Sequence, residues 1–384
     1  APKTHAEAYD PVGLLLSWQD DPSTTITLSW ISDPDRTDDV VEFRKSQKAT
    51  WHPATGFHLP LPEDMPYLIH HVSLTDLEAN SDYVFRMGSE YRFRTLPDDS
   101  TTTFRFIVGG DMYNGNMKNF MRMNVLAASY DPMFVLVGGD IAYAHGKDPS
   151  RESPSKKMRW IKWMQAWKEQ MVTPDGRQIP IIPAIGNHDV TGWFNQTPLQ
   201  SPYFYTFFPM PGPQGYNVLD IANFISIIVL DSGHTHPIAE TQKSWLFHVL
   251  KERRHIPHKF ALYHQAAFPS VRNFDDKPCK LIRQHWVPLF ERFGLATAFE
   301  HHEHYYKRTH PILNNRVDPK GIFYLGDGGW GVTNTRPGKD PHTTWYLEKT
   351  VSVAHFILVT IQGEKRLYQA INIQGQQIDE AESR

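Results

Sequence analysis

Polar and apolar residues alternate with period two over roughly the first hundred positions of the chain. Pro, Asp and Gly separate the alternating runs, and no helical period interrupts them. The runs cover residues 25–30, 40–44, 67–74, 83–86 and 91–95. This pattern predicts an antiparallel β-sandwich from about residue 13 to residue 96. The polar, turn-rich stretch 97–101 indicates a domain boundary, so we expect a first domain at residues 1–98 and a second at 99–384.

The rest of the chain alternates buried strand runs with amphipathic segments. The strand runs cover residues 103–108, 133–137, 179–185, 224–230, 259–263, 296–299 and 321–325. Helices are predicted over residues 118–130, 156–171, 240–254 and 280–293. Such alternation predicts a layered α/β domain, and residues 353–361 and 366–373 predict a hairpin that closes it.

Composition narrows the class of protein. Hydrophobic residues make up 40% and aromatic residues 13% of 384 positions, which excludes intrinsic disorder over most of the chain. The formal net charge of -3 offers no basic footprint for a nucleic-acid backbone, so no nucleic-acid partner is expected. The longest strongly apolar run, 224–230, is too short to cross a bilayer, so no membrane partner is expected either. The single cysteine, Cys279, excludes a disulfide within the chain and a thiolate metal cluster.

Potential metal ligands follow the ends of five predicted strands. They lie in the blocks Gly110-Asp111, Gly139 to Tyr143, Gly186-Asn187-His188-Asp189, Tyr263-His264 and His301 to His304. The carboxyl ends of strands in an α/β sheet form one crevice, so these side chains can surround one point. Their carboxylate, phenolate, amide and imidazole groups suit a hard or borderline cation. The seven candidates are Asp111, Asp140, Tyr143, Asn187, His264, His302 and His304. A single catalytic metal uses about three protein ligands, so seven candidates imply two ions that share a carboxylate.

This ordered set of blocks resembles the purple acid phosphatase branch of the calcineurin-like metallophosphoesterases. The run Phe208-Pro209-Met210-Pro211 and the run Leu230-Asp231-Ser232 support the resemblance. It implies a fibronectin-III-like β-sandwich followed by a four-layer α/β/β/α metallophosphoesterase domain. It also implies that Asp140 bridges two metals. Asp111, Tyr143 and His304 complete one site by this resemblance, and Asn187, His264 and His302 complete the other.

The two predicted sites differ in charge. The first holds an unshared carboxylate and a phenolate, whereas the second holds an amide and two imidazoles besides the bridge. We therefore expect Fe(III) beside Tyr143, with visible absorption, and a divalent Zn, Mn or Fe ion in the other site. A metal-bound hydroxide is expected to attack phosphorus. Asn187 and His188 match the family's substrate-binding positions, and His188 is the expected catalytic residue that protonates the leaving alkoxide.

The chain departs from the family pattern at three places. A second glycine is missing after Asp111, where Met112 and Tyr113 follow. His301 stands where the family usually has glycine, and residues 265–277 lack the histidine pair of plant members. We expect His301 and Arg272 to bind substrate in place of those imidazoles.

The resemblance implies a metal-dependent phosphatase that acts on small phosphate monoesters. A phosphodiesterase on the same binuclear scaffold and, from another class, a non-catalytic surface or binding protein are the alternatives. Because the family is mainly secreted or vacuolar and the chain starts without Met, we expect a secreted or periplasmic protein whose signal peptide has been removed. The aromatic residues of 190–216 predict either a wall of the site or a surface loop pinned by its rings. The sequence indicates no oligomeric state.

Overall fold

Two four-stranded sheets face one another in the N-terminal part of the chain. The computed structural model describes residues 9–326, 328–332 and 336–383. The strands of this part are β1 (Gly13–Ser17), β2 (Ile26–Ser32), β3 (Val40–Lys45), β4 (His52–Thr55), β5 (Phe57–Pro60), β6 (Leu68–Leu74), β7 (Asp82–Arg86) and β8 (Glu90–Arg94). Their order is β1-β2-β6-β5 in one sheet and β4-β3-β7-β8 in the other. The predicted β-sandwich is therefore confirmed.

Strands β1 and β2 of the first sheet are buried on both faces, which explains their largely apolar sequence. Leu14 and Trp30 pack with Phe85 of the second sheet inside the sandwich. Leu15 and Ile31 point the opposite way, because side chains alternate along a strand, and join a cluster that contains Trp160 and Met164. The sandwich is thus packed directly against the following domain.

The second part of the chain alternates strands and helices as predicted. Its elements begin with β9 (Phe104–Gly109), α1 (Met117–Ala128), β10 (Val135–Val137), α2 (Pro154–Gln170), β11 (Ile181–Pro183), α3 (Pro202–Phe207), β12 (Asn217–Ile221), β13 (Ile225–Val229), α4 (Glu240–Glu252), β14 (His258–Leu262), α5 (Lys277–His285) and α6 (Val287–Arg292). They continue with β15 (Thr297–Glu300), β16 (Tyr306–Thr309), β17 (Ile312–Leu313), β18 (Arg316–Val317), β19 (Phe323–Gly326), β20 (Leu347–Val351), β21 (His355–Gln362), β22 (Lys365–Asn372) and β23 (Gln377–Ser383).

Two large mixed sheets form the centre of this domain. A six-stranded sheet has the order β11-β10-β9-β21-β22-β23, and a seven-stranded sheet has the order β12-β13-β14-β15-β19-β16-β20. The Phe106 ring of the first sheet lies 5.6 Å from Phe260 and 6.5 Å from Phe299 of the second, between centroids. Helices α1 and α2 cover the outer face of the first sheet, and α4 to α6 cover the second. The four-layer α/β/β/α arrangement is confirmed, as is the closing hairpin, which is β21 paired with β22.

One local prediction was wrong. The helix expected over 280–293 is divided into α5 and α6 at Trp286. Pro288 has no amide hydrogen to bond the carbonyl four residues earlier, which interrupts the ladder there. The aromatic stretch 190–216 contains the short helix α3. Within the described residues, no helix is both long and apolar enough to cross a membrane. The lone thiol of Cys279 is buried.

Candidate metal centre

The seven predicted ligands meet at one end of the two central sheets. Asp111, Asp140 and Asn187 follow β9, β10 and β11, which are neighbouring parallel strands. His264 follows β14, and the segment with the last two histidines follows β15, which is parallel to β14. All seven side chains are buried. The crevice predicted at the carboxyl ends of the strands is therefore a real convergence of these groups.

One group of ligand atoms surrounds the hydroxyl of Tyr143. This hydroxyl donates to Asp111 Oδ1 at 3.1 Å and lies 3.0 Å from His304 Nε2. His304 Nε2 is also 3.0 Å from Asp111 Oδ1. Asp111, Asp140 and His304 offer ligand atoms that all lie within 4.8 Å of one another. This trio can hold one metal ion.

A second group surrounds Nε2 of His264. This nitrogen is 3.1 Å from Asn187 Oδ1, 3.1 Å from His302 Nδ1 and 3.2 Å from Asp140 Oδ2. Asp140, His264 and His302 form a trio with the same 4.8 Å limit. Asp140 therefore belongs to both trios, in the position of a shared carboxylate.

The donor chemistry of the second group fits a cation. His264 Nδ1 lies 2.7 Å from the carbonyl of Gly138, so it carries a hydrogen, and Nε2 of the neutral ring turns a lone pair toward other acceptors. Asp140 Oδ2 is buried and accepts no hydrogen bond from the residues that the structure describes. Burial lowers the pKa of His264, but the carboxylates of Asp140 and Asp111 more than offset it and raise that pKa to about 9. A metal ion can replace the proton that these carboxylates attract.

The backbone is left-handed at five of the seven predicted ligands. The φ angles are 56° at Asp111, 53° at Asp140, 49° at Tyr143, 78° at His302 and 57° at His304. Residues other than glycine adopt this region at a conformational cost. The Asp side chain can offset this cost with a local hydrogen bond, whereas the side chains of Tyr and His do not. Such strain clusters at functional sites, where the surrounding structure fixes it.

Asp189 holds the turn that carries the shared carboxylate. Its Oδ2 accepts from the amides of Asp140 and Gly186 at 2.9 Å each, and its Oδ1 accepts from Ile141 at 2.9 Å. Gly186 packs so closely that a Cβ atom there would lie 2.3 Å from Asp140 N. No role was predicted for Asp189, although it stands two positions after Asn187 in the same block.

His188 lies beside both groups and holds its ring in place through one nitrogen, Nδ1. Its amide donates to Asp140 Oδ1 at 2.7 Å, and its ring stacks on Tyr143 with centroids 4.4 Å apart. Nδ1–H donates to the carbonyl of His145 at 3.1 Å, which leaves Nε2 as the acceptor of the neutral ring. Burial lowers the pKa of His188, and the Asp140 carboxylate opposes this effect. His188 is thus placed to exchange a proton at Nε2.

The structure places His301 beneath the ligands and not in the crevice. Its side chain is buried, and Nδ1 donates to the carbonyl of Tyr263 at 2.9 Å. A Cβ on Gly138 would lie 1.8 Å from this nitrogen, so the ring occupies the space that the glycine leaves. Burial lowers the pKa of His301 to about 4. This placement supports the backbone behind the site and does not favour the predicted substrate contact.

Two arginines lie at the rim of the site. Arg272 Nη1 donates to Glu303 Oε1 at 2.7 Å and to the carbonyl of His302 at 3.2 Å. Arg336 Nη1 donates to the same carbonyl at 3.2 Å. Glu303 also accepts from the amides of Val271 and Arg272 at 2.6 Å, so its carboxylate fixes the loop that contains these residues instead of binding a metal. Arg336 was missed because it belongs to none of the five blocks.

The aromatic stretch 190–216 has both of the roles considered for it. Trp193 lies against the His188 ring with centroids 4.8 Å apart, and Phe194 lies 6.5 Å from His302, so both rings border the site. Farther along, Tyr203 stacks on Trp160 with centroids 6.2 Å apart, inside the core. The beginning of the stretch therefore walls the site, and its later part anchors the segment.

Two family models match consecutive parts of the chain. The model of the purple acid phosphatase N-terminal domain matches residues 11–106. The model of calcineurin-like phosphoesterases matches residues 104–306, which is more than half of the chain. The second match contains all seven predicted ligands.

Curated relatives and solved structures agree with these matches. Purple acid phosphatase 22 of Arabidopsis thaliana is 26% identical over 268 residues, which cover 68% of this chain and 58% of that protein. Acid phosphatase type 7 of Mus musculus is 25% identical over 301 residues, which cover 68% of this chain and 64% of that protein. The chain thus spans less than two thirds of the length of these relatives. The fold is similar to that of a purple acid phosphatase from yellow lupin seeds, with a TM-score of 0.79 and 17% identity over 96% of this chain and 73% of that one. It is also similar to PhoD, with a TM-score of 0.71 and 10% identity over 99% and 94% of the two chains.

Proposed function

Since the chain belongs to the calcineurin-like phosphoesterase family, in its purple acid phosphatase branch, we propose that it hydrolyses phosphate monoesters at a binuclear metal centre. One observation carries the proposal. The two trios of potential ligands share Asp140, as a pair of adjacent cations requires. The proposed ligands remain those predicted from the sequence, with Asp111, Tyr143 and His304 on one side of Asp140 and Asn187, His264 and His302 on the other.

The residues around the centre can bind and orient a phosphate ester. When bound, a pair of cations neutralises the charge that develops on a transferring phosphoryl group and lowers the pKa of water. Arg272 and Arg336 lie at the rim, where their guanidinium groups can hold phosphate oxygens. His188 can take up a proton at Nε2 and then pass it to the leaving alkoxide, because Nδ1–H is held by the carbonyl of His145. Trp193 and Phe194 restrict water on one side of the site.

We further propose Fe(III) beside Tyr143 and a divalent Zn, Mn or Fe ion beside His264. Burial, together with the carboxylates of Asp111 and Asp140, raises the pKa of Tyr143 well above its ordinary value of 10. The hydroxyl therefore becomes a phenolate only next to a strongly polarising cation, which favours a trivalent ion in that position. Tyr143→Phe should abolish visible absorption of the isolated protein without removing the divalent ion.

Metal content, the visible spectrum and ester turnover, measured on one preparation, test the proposal. We expect two ions per chain and faster hydrolysis of p-nitrophenyl phosphate than of bis-p-nitrophenyl phosphate. Asp140→Asn should remove bound metal and lower turnover by about a thousand-fold or more, because both sites lose a charged ligand. Asp35→Asn, which changes an exposed aspartate of the N-terminal sandwich, is the matched control. Full activity in Asp140→Asn would contradict the proposal, and preference for the diester would favour a phosphodiesterase instead.

We also propose that the protein acts outside the cytoplasm, in the periplasm or after secretion. The proposal rests on the family alone. Expression of the gene in its own host, followed by fractionation and measurement of ester hydrolysis in each fraction, tests it. Activity confined to the cytoplasmic fraction would contradict it.

A further inference from the structure

A second group of potential metal ligands lies in the N-terminal sandwich, apart from the centre described above. Asp39 directly precedes β3, while His58 belongs to β5 and His70 to β6. Asp39 Oδ1 is 2.6 Å from His70 Nδ1, and Asp39 Oδ2 is 2.9 Å from His58 Nδ1. The ligand atoms of all three residues lie within 4.8 Å of one another. Two imidazoles from one sheet and a carboxylate from the start of the other thus converge between the two sheets.

The surroundings of His70 prepare its Nδ1 as a ligand. Nε2 is 2.8 Å from Ser32 Oγ, whose hydroxyl has the carbonyls of Asp33 and Arg36 at 3.0 and 3.3 Å as acceptors. The serine oxygen can accept Nε2–H, so the neutral ring can offer Nδ1 to a cation in place of the hydrogen that the 2.6 Å contact with Asp39 Oδ1 requires. Trp30 stacks on the ring with centroids 4.6 Å apart and fixes its plane.

A metal-binding histidine usually donates a hydrogen bond from its second ring nitrogen to an oxygen atom of the protein. His264 shows the same arrangement in the main centre, where Nδ1 is occupied by a carbonyl and Nε2 faces the shared carboxylate. In both places a ring nitrogen and a carboxylate oxygen lie at hydrogen-bond distance. A cation that replaces the hydrogen between them can satisfy both groups.

We propose that Asp39, His58 and His70 bind a divalent cation, zinc in the first place. Two imidazoles and a carboxylate are a recognised zinc donor set, with the fourth position left to water. The cation can enter from solvent, because the side chains of His58 and Asp39 are 30% and 17% exposed. The ion joins the edge strand β5 to the start of β3, so it fastens one sheet of the sandwich to the other. This inference does not depend on the proposed phosphatase activity.

Zinc binding by variants of the full chain tests the site. The protein as isolated is equilibrated with micromolar zinc, freed of unbound metal, and its total metal per chain is measured by mass spectrometry. We expect His58→Ala and Asp39→Asn to hold one ion fewer per chain than the unaltered protein. His52→Ala is the matched control, because His52 is an exposed histidine of the same domain that lies outside the cluster. It should hold as many ions as the unaltered protein.

The difference between variants is the readout, so it does not depend on how many ions the main centre holds. Hydrolysis of p-nitrophenyl phosphate should be the same in His58→Ala and in the unaltered protein, since the cluster is not part of the proposed active site. Equal metal content in His58→Ala, Asp39→Asn and the unaltered protein would overturn the inference and leave a hydrogen-bonded His–Asp–His group. If His58→Ala unfolds, as judged by circular dichroism, the metal content of His58→Gln is measured instead. The glutamine amide can keep the hydrogen bond to Asp39, but the imidazole ligand is removed.

Discussion

Replacing Gly186 with alanine should distort the metal centre, because the added Cβ atom collides with the turn that carries Asp140. The φ of Gly186 is -116°, which any residue can adopt, so alanine adds no backbone strain there. An ideal Cβ would lie 2.3 Å from Asp140 N and 2.4 Å from Asp140 Oδ1, whereas ordinary contacts begin at 3.4 Å. The turn that carries Asp140 must therefore move by about 1 Å, since tightly packed interiors leave no spare volume. Overpacking of this kind costs about 1–3 kcal/mol of stability.

The functional effect of this displacement should be larger than its effect on stability. Asp140 is the proposed bridge, and a displacement of about 1 Å at a catalytic group can lower the rate on the order of 100-fold. We expect kcat/KM for p-nitrophenyl phosphate to fall by about that factor, with a loss of bound metal measured on the same sample.

Gly146→Ala is the matched control for this substitution. Gly146 is close to His188 in the chain's fold, because its neighbour His145 accepts the His188 Nδ1–H bond. A Cβ on Gly146 meets nothing nearer than the carbonyl of Asp148 at 3.9 Å. Its kcat/KM should stay within about two-fold of the original. Unchanged kcat/KM and metal content in Gly186→Ala would refute the steric reasoning.

Three further predictions concern groups outside the ligand set. Lys307→Met leaves the fully buried carboxylate of Glu300 without its ion-pair partner, so the free energy of unfolding in urea should fall by about 3–5 kcal/mol. The double variant Glu300→Leu, Lys307→Met should recover part of this loss. A Lys307→Met variant as stable as the original would contradict the pairing. Burial raises the pKa of Cys279 to about 12, so iodoacetamide should label the native thiol far more slowly than the unfolded one, and equal rates by mass spectrometry would be inconsistent with this burial. Burial alone would raise the pKa of Glu152, but hydrogen bonds from His145 and Thr191 lower it to about 2. Because the folded pKa is lower than the unfolded one, the stabilisation is complete above about pH 5 and disappears as the pH falls toward 2. Glu152→Gln should therefore be less stable than the original by about 1 kcal/mol at pH 6 and equally stable near pH 2, as measured by thermal unfolding, and a difference that does not change with pH would exclude this origin.

The sequence predicted the layers of the fold because both periodicities are strong in this chain. Strands such as β10 and β13 are buried on both faces and therefore read as nearly continuous apolar runs bounded by turns. The site could be predicted for a related reason. Its ligands come directly after such runs, and parallel strands bring their carboxyl ends to the same edge of a sheet.

The positions that could not be predicted depend on the direction in which a side chain points, and the order of residues does not give this direction. His301 and His302 are adjacent, yet one ring lies under Gly138 and the other faces His264. Only the path of the backbone after β15 decides between them. Arg336 reaches the site through a loop contact with no regular spacing, and the break at Trp286 reflects competition between helix propensity and a single proline.

The place of β21 in the six-stranded sheet has a consequence for synthesis of the chain. Val108 of β9 pairs with Ile357 of β21, so most of the second domain must leave the ribosome before β9 gains this neighbour. Until then β9 offers unpaired amides and carbonyls along one edge, which is the condition under which nascent chains associate wrongly. All proposed ligands are translated earlier than β21, but the strand that precedes Asp111 is secured only afterwards. We therefore expect stable metal uptake to follow translation rather than accompany it.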